Sequence, residues 1–345
     1  MAKKCAAAPI AEDSAVLEWL LEDSDPEVRL YALTRLLGKS EGCPEATVAR
    51  EALMRAGPAA AILDGQTEGG YWGAGLDFYR SKYKGGVWQL IVLAELGADG
   101  RDPRIQAACE YIFEHSQDRE SGGFSVDPAS GGGGRHGTVI PCLTGNMVFC
   151  LERLGFGKDE RTARAIEWIC EYQRADDGES HAPKGWPYDS FSDCFGGHSC
   201  FMGVVKSLKG LAAIPPRSRN ASVKAKIAEL AEFVLLHRVH KRSHDLESVS
   251  RPGWLKLGFP LMYQTDILEI LCILMDLGVE DERMSDARQA LLAKRGADGQ
   301  WILENSFNGR TLVPIEKKGA ASKWITARAL YALGSLNANT VSRNA

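Results

Sequence analysis

The chain has 345 residues, 45% of them hydrophobic and 25% charged, with a formal net charge of −4. A chain of this size buries a full core without staples, and the small negative charge argues against non-specific nucleic-acid binding, which needs a basic stripe. No apolar run reaches the roughly 18 residues of a membrane span, so no integral membrane segment is expected.

Residues Met1 to Ile10 hold two lysines but only a very short apolar stretch before Glu12 and Asp13, so no signal peptide is expected. With nine cysteines, an odd number, this points to reduced thiols and a cytoplasmic location. Residues 12–60 read as two or three helices, one opening at Asp25-Pro26-Glu27, and are expected to form an N-terminal helical cap over residues 1–60. Gln66 then precedes a Gly70-Tyr71-Trp72 turn. A helix carrying Leu90, Leu93 and Leu96 ends at Gly97, a residue that accepts the left-handed conformation of a helix stop. Asp102-Pro103-Arg104 opens the next helix with an N-cap and a proline at the first position. That helix runs to Ser116 and is followed by Gln117 and Gly122-Gly123-Phe124.

The same phrase recurs. The Gly131–Gly134 run reads as a loop. After Leu154-Gly155 come Asp159-Glu160-Arg161, a helix to Tyr172, Gln173 and a Gly185-Trp186 turn. A longer unit over residues 200–240 has Pro215-Pro216 between its helices. After Leu277-Gly278 come Asp281-Glu282-Arg283, a helix to Ala293, and an Asp298-Gly299-Gln300-Trp301 turn. The first helix of each pair is apolar almost all round and should be buried, and the second is amphipathic and should face water. The repeats predict an all-α fold, an α/α toroid of about five or six helical hairpins over residues 61–336, closed by Trp324–Leu336. Residues 337–345 are expected to be a disordered tail.

Counting back from the end of each inner helix gives a register. Lys84 lies 13 residues before Gly97, Cys142 13 before Gly155, Cys200 12 before Ala212, and Asp266 12 before Gly278. In a closed ring these positions share one height, with His198 beside them and Cys194 about a turn upstream. Thiolate and imidazole ligands suit zinc with an open fourth position, so Cys142, Cys194, His198, Cys200 and Asp266 are candidate metal ligands. The alternatives are a His198 that bonds a carbonyl, an Asp266 that caps a helix N-terminus, and a Cys142 that is plain core.

These repeats resemble the α/α toroids of the squalene and terpenoid cyclases and the protein prenyltransferase β subunits. Within the prenyltransferase branch, Lys84-Gly85-Gly86-Val87 is similar to a His-Gly-Gly-Tyr motif whose His helps bind prenyl diphosphate. Ile140-Pro141-Cys142 is similar to the Asp-x-Cys that supplies two zinc ligands, with Ile140 in place of the Asp, and His198-Ser199-Cys200 to a His-Thr-Cys that supplies another. The resemblance implies a zinc-dependent enzyme that activates a thiol for transfer to or from an isoprenoid-like substrate, and a partner subunit for which the sequence carries no signal. The proton-donating Asp-x-Asp-Asp of class II cyclases does not occur, which disfavours that reaction.

In that reading Lys84, Arg135 and His136 hold an anionic leaving group. Trp72, Trp88, Trp186, Tyr188, Tyr263 and Trp324 line an apolar cavity. The alternative is a non-catalytic toroid that binds a lipid or a peptide in its lumen.

Overall fold

In a computed structural model, residues 11–178 and 180–334 are described; the expected tail at 337–345 lies outside them. The fold is all-α. Its helices are α1 (Ala11–Leu20), α2 (Pro26–Tyr31, continuing as a π-helical segment Ala32–Leu36), α3 (Pro44–Arg55), α4 (Pro58–Asp64) and α5 (Gly86–Leu96). Next come α6 (Pro103–His115), α7 (Pro141–Arg153), α8 (Glu160–Tyr172), the single turn α9 (Ser192–Phe195) and α10 (Phe201–Ala213). The last are α11 (Ala221–Leu236), α12 (Ile267–Asp276), α13 (Ser285–Leu292) and α14 (Lys323–Leu333). One hairpin, β1 (Lys241–Arg242) and β2 (Asp245–Val249), follows α11.

Six helices form an inner ring. Helix α5 packs on α7, α7 on α10, α10 on α12, α12 on α14, and α14 on α2 and its π extension. Their partners sit outside: α3 on α2, α6 on α5, α8 on α7, α11 on α10, α13 on α12, and α1 on α14. Residues 26–36, read from the sequence as part of a cap, therefore stand in the ring itself. The boundary expected at residue 60 falls inside α4.

The repeated phrase is the mortar between repeats. Asp102, Asp159 and Asp281 each accept the backbone N–H of the arginine two residues on, which starts the outer helix. The guanidinium of that arginine bonds the same aspartate and reaches an earlier helix: Arg104 to Asp64 of α4, Arg161 to Glu110 of α6, Arg283 to Glu232 of α11. The glutamine of the turn ties to the next repeat, Gln66 to the Arg104 carbonyl at 2.9 Å and Gln117 to the Arg161 carbonyl at 2.7 Å. The turn tryptophan ties to its own repeat, with Trp72 donating to Ile62 and Trp301 to Leu291.

Helices α7 and α10 pack at backbone contact. A Cβ on Gly145 would fall within the Lys206 carbonyl group, and one on Gly210 would lie 2.6 Å from the Gly145 carbonyl oxygen. Only glycine permits so close an approach.

At mid-height the axis is filled by charge. Lys206 of α10 donates to both oxygens of Glu269 of α12, at 2.7 and 2.6 Å. Lys209, one turn on, donates to Glu269 at 2.8 Å and to Glu95 of α5. Arg328 of α14 donates to Glu95 at 3.0 Å. Phe149 of α7 lies under the Lys209 ammonium, and Tyr31 of α2 stands close to Arg328. All six inner helices thus meet round one polar cluster.

Candidate functional site

The inner helices run parallel, so their N-termini make one rim and their C-termini the other. Lys84, Cys142, Cys200 and Asp266 do stand at the starts of α5, α7, α10 and α12, as the register predicts. Their side chains do different things. Asp266 is buried and turned inward, where it accepts the backbone N–H groups of Glu269 and Gly258 at 2.8 Å each. Burial nevertheless raises its carboxyl to about 6. It is a helix cap, as the alternative reading had it.

Cys142 is buried, with Cys194 and Cys200 as electrostatic neighbours. Burial raises the Cys142 thiol, and pushes the Cys194 thiol up to about 12, so both are neutral near pH 7. His198 turns its ring against Gly178 and lines a side pocket of about 340 Å³ with Cys200, Asp177, Asp193 and His237. Among the described residues no three His, Cys, Asp or Glu side chains form a group able to hold a metal ion. The donor set expected for zinc therefore does not fit such a centre, because Asp266 is spent on backbone amides and His198 faces the side pocket.

The other expected site residues are scattered. His136 bonds Asp118 at 2.8 Å and stacks on Trp186 at 4.0 Å, in the α6–α7 connection, and Arg135 immediately precedes it. Tyr188 packs edge-on against Phe195, and Trp324 stacks on Phe259 at 4.2 Å. Trp72 is held by its bond to Ile62. These rings are turn and core packing. Trp88 and Tyr263 are the two of the six expected rings that meet at the rim, with centroids 6.2 Å apart.

Around that pair the structure assembles residues that the repeat register misses. Tyr79 and Tyr83, from the loop before α5, pack on Trp88 at 4.9 and 5.2 Å, and Phe307 packs on Tyr83 at 4.5 Å. Two exposed cations lie over these rings. The Lys82 ammonium is 4.6 Å from the centre of Tyr263 and 5.2 Å from that of Tyr79. The Arg310 guanidinium is 4.8 Å from that of Tyr83. Neither has a carboxylate partner among the described residues. Gln264 donates to the Tyr83 hydroxyl at 2.8 Å, while its own carbonyl oxygen is buried without a partner. Burial raises the hydroxyls of both Tyr79 and Tyr263, and Cys142 is a neighbour of each. The signal in the sequence is the run Phe78-Tyr79-Arg80-Ser81-Lys82-Tyr83-Lys84, in which aromatics and cations are interleaved.

The opposite rim opens into two cavities. One of about 300 Å³ lies on the axis, beneath the charge cluster. The other, about 720 Å³, runs up the seam between α2 and α5 and shares Arg35, Glu95 and Arg153 with the first. Glu152 lines the seam, and burial raises its carboxyl to about 7. The folded state thus holds this proton more tightly than the unfolded state. Ionisation costs nothing below about pH 4, and the full penalty applies above about pH 7. Glu152→Gln is expected to stabilise the protein by about 1–2 kcal/mol at pH 8, after allowance for solvent in the cleft, and to be neutral at pH 4. Urea melts at the two pH values check this, and an equal effect at both would contradict it.

The molecule is thus an all-α ring of helical hairpins with an aromatic, cationic rim and a charged axis; among the described residues no helix is long and apolar enough to cross a membrane. Neither a protein family nor a curated protein matches the chain. Among solved structures it is similar to a protein from Actinoplanes, with 14% identity over 94% of this chain and 99% of that one and a TM-score of 0.44. It is also similar to two variants of the type II terpene cyclase MstE from Scytonema. One is bound to geranylgeranyl dihydroxybenzoate, its substrate (14% identity, 94% and 95% covered, TM-score 0.42), and the other is ligand-free (16%, 93% and 98%, 0.42).

Proposed function

We propose that the aromatic rim binds an anionic small molecule with an unsaturated, apolar body, and that the chain acts there as a binding module. An isoprenoid diphosphate is the class that the sequence resemblance implies and that this chemistry fits. One observation carries the reading: Lys82 and Arg310, both without carboxylate partners among the described residues, lie over the faces of Tyr79, Tyr83 and Tyr263. Unpaired cations attract the anionic head, and the ring faces receive the chain. Lys84, exposed and two residues on from Lys82, would add a third positive charge. Zinc and a thiolate nucleophile are not part of this proposal, since Asp266 is spent on backbone amides and His198 faces the side pocket.

The test is titration with farnesyl diphosphate, followed by tryptophan fluorescence. Saturable binding is expected, weakened on the order of tenfold, about 1.4 kcal/mol, in Lys82→Ala/Arg310→Ala. Unchanged affinity in that variant would remove the rim from the account. Equal affinity for farnesol and its diphosphate would remove the anionic head.

A further inference from the structure

We propose a second site, independent of the rim: the axial cavity at the C-terminal ends of the inner helices binds a small oxyanion of two or more charges, a phosphate compound or a polycarboxylate. Five cationic side chains line this cavity of about 300 Å³, namely Arg35, Arg153, Lys209, Arg219 and Arg328, against the two carboxylates Glu95 and Asp276. Such a volume holds a small metabolite and no more.

Three of the five cations are already engaged. Arg35 pairs with Asp276, Lys209 with Glu95 and Glu269, and Arg328 with Glu95. Among the described residues Arg219 bonds only backbone, donating to the carbonyls of Ala212 and Ile214 at 2.9 Å each, where the last turn of α10 leaves acceptors free. Arg153 is engaged by nothing. It has no hydrogen bond and no ion pair among the described residues, although it reaches both cavities.

Arg153 is exposed, so its donors stay open to solvent at the cavity wall. A cation so placed, in a cavity already rich in positive charge, is free to meet something that arrives from solution. Arg35, its nearest cationic neighbour, is carried on the π-helical segment Ala32–Leu36, a distortion that occurs often at functional sites. The adjoining seam is of mixed charge, with Glu27, Glu41, Glu51, Asp99 and Glu152 facing Arg50 and Arg101. The axial cavity, not the seam, is therefore where a compact anion settles.

The experiment is calorimetric titration of the whole chain with pyrophosphate and, separately, with citrate, which distinguishes phosphate from carboxylate chemistry. Saturable binding of one equivalent is expected for at least one of them. Arg153→Gln is expected to weaken it on the order of tenfold, and Arg153→Lys to restore it to within about threefold. The rim variant Lys82→Ala/Arg310→Ala, in which any anion held at the rim is lost, is expected to keep this binding, which separates this site from the rim. Without ligand, Arg153→Gln should melt close to the parent temperature, as an exposed side chain without a partner among the described residues does.

Four results would each overturn the proposal. They are no binding of either anion at millimolar concentration, parental affinity in Arg153→Gln, loss of binding in the rim variant, or a clearly lower melting point in Arg153→Gln.

Discussion

Replacing Glu269 by Ala is expected to lower stability by about 3–5 kcal/mol, the cost of leaving buried charge without its partner. The side chains of Lys206 and Glu269 are 0% and 1% exposed, so no water can replace the lost carboxylate. Two ammonium groups hold the Glu269 carboxyl down at about 2, although burial alone would raise it. Its stabilising contribution is therefore complete above the unfolded carboxylate value, about 4.3, and is lost as pH falls towards 2. The loss in Glu269→Ala, measured by urea unfolding, should accordingly be large at pH 7 and shrink at pH 3. Lys206→Met combined with Glu269→Leu should recover most of it, because an apolar pair of similar volume carries no desolvation penalty, and Lys209 still keeps Glu95. A loss below about 1 kcal/mol for Glu269→Ala would mean that water enters the axis and that the cluster is not closed.

Gly145→Ala is expected to cost about 3 kcal/mol, more than an ordinary overpacked methyl, because the added carbon meets main chain. The atoms in its way are the Lys206 carbonyl group and the Ser207 nitrogen. A side chain could rotate aside, but a helix backbone cannot. Helices α7 and α10 must part, and Lys206 is drawn away from Glu269 with them. Gly137→Ala is the control, since a Cβ there meets nothing within 4 Å. It should fall within about 0.5 kcal/mol of the parent. Thermal melting of the pair decides the matter; similar melting points would show that the two helices have room to spare.

Much of the ring is legible in the sequence because each repeat marks its own corners. Gly97, Gly155 and Gly278 have φ values of 78°, 93° and 70°, the left-handed stops that the Leu-Gly pairs announce. Asp102, Asp159 and Asp281 cap where the spacing puts them. The spacing also gives height along a helix correctly, so Lys84, Cys142, Cys200 and Asp266 all come to one rim. It does not give direction. Asp266 points in to amides and His198 points out to Gly178, and no count of residues separates those cases. The axial cluster had a signal that the reading of these helices as apolar passed over, namely Glu269 alone within Ile267-Leu268-Glu269-Ile270. A lone charge in a buried run needs a partner, but nothing in the sequence says that Lys206 is the one. Tyr79, Tyr83 and Phe307 come from loops, where periodicity carries no information.

The pairing of α1 with α14 makes the first described helix the outer partner of the last. Lys323 bonds Glu22 and Asp25 at 2.6 and 2.7 Å across some three hundred residues of chain, and its ammonium lies 5.5 Å from the Trp19 ring centre. The ring is therefore fastened like a bracelet, and the clasp closes only once α14 has been made. Contacts of such long sequence separation form late and slowly. Until α14 emerges, Tyr31 lacks the Trp324 and Tyr331 rings that pack edge-on against it, and the nascent chain is an open arc.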